Sequence, residues 1–282
     1  MMTPLLHVLR CGGAALLLCA LASCGTTTTG GGGASRAACR NGARGPGSPY
    51  EMCSALNFTD VDKAKNFEES LKLKSPFTAG ILLNHRWPAG SQLRVYFMND
   101  PYGLKSRVLD LANDWRERAG ANLRFVEGTA ENNDIRVSFI ASGYWSVLGT
   151  QARRTSNNQP TMSLSFTSRP DAIKLRRVVL HEFGHAIALI HEHQQPLSTI
   201  KWDREATLRY YEGPPNCWTT AMVESNVLRR LSPGANIDST QFDQNSIMEY
   251  PVDPRLTTDG RGNDWNTDFS ALDKQFIARQ YP

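Results

Sequence analysis

This 282-residue chain has no C-x-x-C pair, no long block of like charge, no internal repeat and no apolar run long enough to span a bilayer. The first absence excludes a zinc ribbon or a thioredoxin-like redox site, since the six cysteines fall singly at 11, 19, 24, 39, 53 and 217. The second argues against a nucleic-acid partner: Lys plus Arg number 31 against 27 for Asp plus Glu, and the formal +4 is spread along the chain. Hydrophobic residues make up 40% and charged residues 21%, ordinary globular values that exclude a disordered or collagen-like protein and allow one large domain or two small ones. Histidine is also scarce. There are six in all, yet four of them stand within residues 181 to 193, so the chemistry of the chain is concentrated there.

The N-terminal region reads as export and attachment. Arg10 precedes the apolar run Cys11 to Ala22, which is too short for a membrane span and has the form of a signal peptide over residues 1–23. Leu21-Ala22-Ser23-Cys24 resembles a bacterial lipobox, making Cys24 an acylated N-terminus and lipid its membrane partner. Gly25 rather than Asp follows it, which by resemblance to lipoprotein sorting favours an outer-membrane destination. Residues 24–49, rich in Thr, Gly, Ser, Pro and Arg, have too few apolar side chains to offset chain entropy and form a flexible tether. Residues 50–84 read as an adaptor or pro-region. In an oxidising compartment Cys39, Cys53 and Cys217 should give one bridge and one odd thiol; Cys39 with Cys53 closes the shortest loop, and Cys217 remains open as a partner of either.

The folded domain is expected over 85–282, beginning near Trp87-Pro88, with subdomains of about 85–190 and 191–282. Hydrophobic periodicity predicts strands at 93–98, 122–127, 134–140, 144–150 and 161–166, and helices at 104–119 and 171–189. After Gln195-Pro196 the pattern loosens, with short helices near 203–211 and 270–280. The junction between the regular and irregular halves is where a cleft is expected.

At that junction stands H-E-F-G-H-A-I-A-L-I-H-E-H, residues 181–193. On a helix, His181 and His185 lie about 40° apart in azimuth and roughly 6 Å apart along the axis, so both imidazoles can meet one ion, with Glu182 leaning over the open coordination position. His191 would point about 120° away on an unbroken helix, so a sharp turn must bring it back as a third ligand. His193 is a substitute ligand, and Glu205 is the nearest downstream acid for a zincin of another type. A zinc-stabilised, catalytically silent adhesion lipoprotein is the alternative from another functional class. It would need the histidines but not Glu182.

Together with Ser246-Ile247-Met248-Glu249-Tyr250, the histidine motif resembles the astacin-like branch of the metzincins over about residues 85–282. G-Y-W-S-V-L-G at 143–149, an edge strand T-M-S-L-S at 161–165 and L-D-K-Q-F-I-A-R-Q-Y-P at 272–282 add to the likeness. The resemblance implies an α+β metzincin-type fold: an N-terminal mixed twisted sheet with two long helices, and a less regular C-terminal subdomain across a cleft. It implies one catalytic Zn²⁺ on His181, His185 and His191, Glu182 as general base, Tyr250 beside the metal, Met248 as the Met-turn floor, and a protein or peptide substrate. The sequence departs from the family pattern in three ways. Ala188 stands where the family has the turn-making Gly. Phe58-Thr59-Asp60 is an incomplete F-x-G-D latency motif. Glu192, which in the family contacts the freed N-terminus, should have another partner here because a lipidated terminus on a long tether is poorly placed to reach it. Arg153, Arg154, Arg176 and Arg177 read as solvated faces rather than a pocket for acidic residues, and nothing in the sequence sets the oligomeric state.

Overall fold

The structure is a computed structural model that describes residues 80–141, 143–214, 216–231 and 237–282. The signal peptide, Cys24, the tether, Cys39, Cys53 and Phe58-Thr59-Asp60 lie outside the described residues. Among the described residues no helix is long and apolar enough to cross a membrane.

A five-stranded mixed sheet organises the first half. Its strands are β2 (Gln92–Phe97), β3 (Arg124–Glu127), β4 (Ile135–Ser138), β5 (Tyr144–Ser146) and β6 (Met162–Leu164), preceded by the short β1 (Ile81–Leu82). The sheet order is β3-β2-β4-β6-β5, all neighbours parallel except β5, which runs antiparallel to β6. The two edges are therefore β3 and β5, and β6 lies inside the sheet, so the edge strand expected at 161–165 is an interior one. The expected strand at 144–150 also stops at Ser146. Gly149, at φ 48°, turns the chain into a 3-10 segment, Gly149–Arg154.

Two helices pack on this sheet. The first, α1 (Lys105–Glu117), buries Val108, Leu111, Ala112 and Trp115 at helical spacing. The second, α2 (Ala172–Ala186), starts on Asp171, whose side chain accepts the Lys174 N–H at 2.8 Å, an N-cap that satisfies one orphan donor. From Val178 to Ala186 every α2 residue is buried, so the helix passes through the centre of the molecule. Trp115 Nε1 donates to Leu180 O at 3.0 Å, joining α1 to α2, and Phe125 meets Phe183 edge-on at 5.0 Å, joining sheet to helix.

The second half holds α3 (Arg204–Glu212), α4 (Thr220–Val223) running into a π-helical turn at Glu224–Leu228, β7 (Ile237–Asp238) and α5 (Ala271–Gln280). Ser270 and Asp273 form a capping box at the start of α5. β1 pairs antiparallel with β7, and Ile81 and Leu82 are buried, so residues ahead of 85 pack into the described structure. Cys217 is disulfide-bonded, with its partner outside the described residues. It is thus not the odd thiol that a Cys39–Cys53 bridge would leave over.

Candidate metal centre

His181 and His185 sit one turn apart near the end of α2, both buried. The helix then stops in a Schellman arrangement: Ala188 N–H donates to His185 O at 2.8 Å and Leu189 N–H to Gly184 O at 2.9 Å. The residue that reverses the chain is Ala188, at φ 73°. A side chain in this left-handed conformation costs roughly 1–2 kcal/mol, and surrounding contacts hold it there. Ala188 O accepts Leu82 N–H at 3.1 Å, and Ile190 N–H donates to Gly80 O at 3.2 Å, so β1 pins the segment that carries His191. Gly149 leaves room for the turn: a Cβ there would lie 2.8 Å from that of Ala188 and 2.0 Å from His85 O.

The Met-turn supports the histidines from below. Ile247 O is 2.8 Å from His181 Nδ1, and Met248 O accepts Glu192 N–H at 3.0 Å. Met248 fits because position 184 is glycine, where an added Cβ would stand 2.4 Å from Met248 Sδ and 3.0 Å from Trp115. The turn itself hangs on Asp273, which accepts Ser246 Oγ at 2.6 Å, Ile247 N–H at 2.8 Å and Ser270 N–H at 2.9 Å.

His181, His185 and His191 bring one ring nitrogen each to within 4.8 Å of one another. His185 Nδ1 faces Leu189 O at 2.8 Å, which puts its proton on Nδ1 and leaves the Nε2 lone pair aimed inward, 3.1 Å from His191 Nε2. His181 Nε2 is buried with no hydrogen-bond partner. Burial pushes His181 down to about 4 and His185 and His191 well below the ordinary imidazole range, so all three are neutral donors at pH 7. Three inward-facing neutral imidazoles, each with an oriented second nitrogen or tight packing, fit a tetrahedral zinc site with one open position.

Glu182 is 1% exposed on the same helix, and Tyr250 is fully buried with its ring centroid 4.2 Å from that of His191. His193 is not part of the cluster. Its Nε2 donates to Asn226 O at 2.8 Å, while its ring faces Tyr250 at 4.6 Å. Glu205 lies far from this chemistry in character: its side chain is 71% exposed and paired with Arg204 on the first turn of α3. Glu192 has the alternative partners its sequence context called for, Asp243 N–H at 2.9 Å and the Gln195 amide. Burial first, and then the nearby carboxylates of Asp273 and Asp243, hold it up at about 8.

The arginines expected on solvated faces are in part pinned. Arg176 bridges Asp114 at 2.7 Å and Asp268 at 2.9 Å, and Arg177 stacks on Trp265 at 3.8 Å. Residues the sequence reading missed are Gly80 to Leu82, whose only signal was a short apolar run at 81–83, and Asp273, whose anchoring role needed the fold to appear.

Three-dimensional comparison finds the same architecture in known structures. A structure of myroilysin superposes with a TM-score of 0.67 at 36% identity, covering 72% of this chain and 98% of that one. A crystal structure of myroilysin gives 0.58 at 30% identity over 86% and 96% of the two chains. High choriolytic enzyme 1, a hatching-enzyme zinc-protease from the medaka fish Oryzias latipes, shares the fold at 17% identity and a TM-score of 0.50, over 70% of this chain and 94% of that one. No family model and no curated protein matches the sequence.

Proposed function

The chain belongs to the astacin-like metzincins and is a zinc metalloendopeptidase acting on protein or peptide substrates; from that premise we propose how its own residues divide the work and where it acts. The observation that carries the reading is the cluster of three neutral, inward-facing imidazoles on a broken helix above the Met-turn. His181, His185 and His191 would hold the ion. Zinc, when bound there, supplies Lewis acidity that acidifies a water and polarises the scissile carbonyl.

Glu182 takes the proton of the attacking water and later returns it to the leaving amide nitrogen, the role of a general base that becomes a general acid. Its burial keeps bulk water from competing for that proton. Tyr250 directs its phenol O–H at the oxyanion that develops on the substrate carbonyl. β5, the antiparallel edge of the sheet, pairs with an extended substrate backbone by strand addition, leaving side chains to the walls of the cleft.

The lipobox-like Leu21 to Cys24 and the tether after it support an exported enzyme held by lipid to a bacterial envelope membrane, the outer one favoured, with extracytoplasmic proteins as substrates. The domain plan that follows is a signal peptide at 1–23, a tether at 24–49, a pro-region or adaptor ahead of the fold, and the catalytic domain to 282. The decisive experiment digests a broad peptide library with the zinc-loaded protein, with and without chelator, and repeats it with Glu182→Ala. Chelator-sensitive cleavage that Glu182→Ala abolishes supports the assignment; wild-type rates in Glu182→Ala remove Glu182 from it. For the location, Cys24→Ser should release the protein from the membrane fraction. An unmodified, wholly soluble wild-type protein would refute the anchor.

A further inference from the structure

We propose that the stretch ahead of the catalytic fold is a permanent part of the enzyme, fastened through Cys217 to its C-terminal half, so that a cut between them yields a two-chain enzyme and not a shed pro-region. Cys217 is disulfide-bonded, and every other cysteine, at 11, 19, 24, 39 and 53, precedes residue 54. Whichever partner it uses, the bond joins the region ahead of the fold to the loop after α3. An exported lipoprotein loses residues 1–23, and acylation turns the Cys24 sulfur into a thioether with no thiol left to pair. Cys39 and Cys53 remain as partners, in place of the bridge between the two that the sequence favoured.

The Cys217 end of the bond stands on a pinned turn. Cys217 N–H donates to Gly213 O at 2.9 Å, and Trp218 N–H donates to Tyr211 O at 2.9 Å. The Tyr211 and Trp218 rings stack at 5.3 Å with 19° between planes, and Tyr211 is buried. On the other flank Thr219 caps α4 by accepting Met222 N–H at 3.2 Å. Between these fixed flanks Cys217 takes φ 49°, a left-handed conformation uncommon outside glycine, and is exposed. An exposed cysteine on such a turn offers its sulfur to chain arriving from outside the fold, not to the core.

The chain enters the fold at a second fixed point. Gly80 O accepts Ile190 N–H at 3.2 Å, and β1 pairs with β7 directly after it. The chain between the bonded cysteine and Gly80 is thus a loop closed at both ends on the same domain. Hydrolysis of a peptide bond within 54–79 opens that loop without parting the pieces, because the disulfide remains. A segment held by side-chain contacts alone would leave on dilution after such a cut, whereas a covalent link keeps it at high effective concentration. For a chain whose lipid sits on Cys24 the link has a second effect: the cut catalytic domain stays on the membrane. That second effect rests on the lipid anchor proposed above; the covalent link does not.

The test uses the full-length exported protein with a thrombin site inserted after Lys74, in the Glu182→Ala background so that no outcome depends on peptidase activity. Mass spectrometry of the alkylated, unreduced protein should find the Cys217 peptide linked to that of Cys39 or Cys53. A Cys39–Cys53 link with Cys217 alkylated would overturn the proposal. After thrombin, the two pieces should run as one band on a denaturing gel without reductant and as two with dithiothreitol. Separation without reductant would also overturn it. Cys217→Ser should part the pieces with no reductant; if that variant does not fold, the dithiothreitol arm on the parent protein decides alone. In membrane sedimentation the cut domain should pellet, and dithiothreitol should move it to the supernatant. A cut domain that still pellets after reduction would show that the bond is not what holds it there. If the uncut protein itself does not pellet, the lipid anchor fails, and the gel and peptide map still decide the link.

Discussion

Single atoms decide much of this site. Position 184 within H-E-F-G-H accepts no side chain, because a Cβ would meet Met248 Sδ at 2.4 Å and Trp115 at 3.0 Å. Gly184→Ala should therefore displace the Met-turn floor at an overpacking cost of about 1–3 kcal/mol, read as a lowered urea midpoint, and weaken zinc retention alongside it. Ala188 is the opposite case. It sits at φ 73° where glycine would be relaxed, so Ala188→Gly relieves about 1–2 kcal/mol of strain but adds unfolded-state freedom worth about 0.4–1 kcal/mol. The net expectation is a small rise in Tm with zinc affinity intact; a clear fall in Tm would show that the Ala188 methyl contributes more packing than its backbone costs. At Glu182, Glu182→Ala should cut peptide hydrolysis by about 10²-fold or more while leaving zinc content unchanged, the scale of a lost general base. Zinc loss in that variant, measured by metal analysis, would instead place Glu182 among the groups that hold the metal.

The elements that position these residues differ in how far the sequence exposes them. α1, α2, α3 and α5 stand within three residues of the limits expected from the sequence, since each buries apolar side chains on one face; in the structure Asp171, Asp203 and Ser270 cap the starts of the last three. The histidine motif and S-I-M-E-Y were legible for the same local reason: ligand spacing on a helix is a property of a few adjacent residues. The sheet order was not legible. Whether residues 161–165 or 144–146 form the edge depends on which strand docks last, and alternation within a strand carries no information about its neighbours. Two-residue β1 was invisible for lack of any period at all, although it is what pins the His191 segment. Asp273 is the clearest long-range case, its one carboxylate accepting the Ser270 N–H at the start of α5 and the Ile247 N–H of the Met-turn. Asp273→Ala would strand the Ile247 and Ser270 N–H groups as well as Ser246 Oγ. Bonds to a charged acceptor are worth about 1.5–3 kcal/mol each and do not add simply, so a loss on the order of 3 kcal/mol is expected. The check is chemical denaturation of the zinc-free protein, with Asp273→Asn retaining part of the stability; an unchanged midpoint in Asp273→Ala would mean that the Met-turn holds its shape without α5.

For the whole molecule, burying so many titratable groups around one ion makes stability depend on both pH and metal. His181 and His193 are held at about 4 and His185 and His191 well below their ordinary range, all chiefly by burial. Their folded-state values lie below the unfolded one, so the unfolded chain binds more protons, and the stability they contribute is present above about pH 6.5 and lost as pH falls towards 4. Glu192 has the reverse sign. Burial raises it to about 8, so its contribution is present below about pH 4.5 and lost as pH rises to 8, with Glu249 and Asp273 shifted in the same direction by the same cause. Between those limits the two sets oppose each other. The metal-free protein should therefore be most stable at mildly acidic pH, with Tm falling on both sides. Zinc changes the acid side only, because it binds neutral imidazoles and competes with protons for the same nitrogens. The folded imidazoles take up protons only near pH 4 and below, so the Tm difference between zinc-loaded and chelator-stripped protein should stay nearly level from neutrality down to about pH 5 and shrink as pH falls towards about 4. Thermal melts of both forms across pH 4 to 9 measure this directly. A zinc increment already lost between pH 7 and 6 would show that the ion is held by groups that titrate near the ordinary imidazole range and not by these buried histidines, whatever the activity of the loaded enzyme.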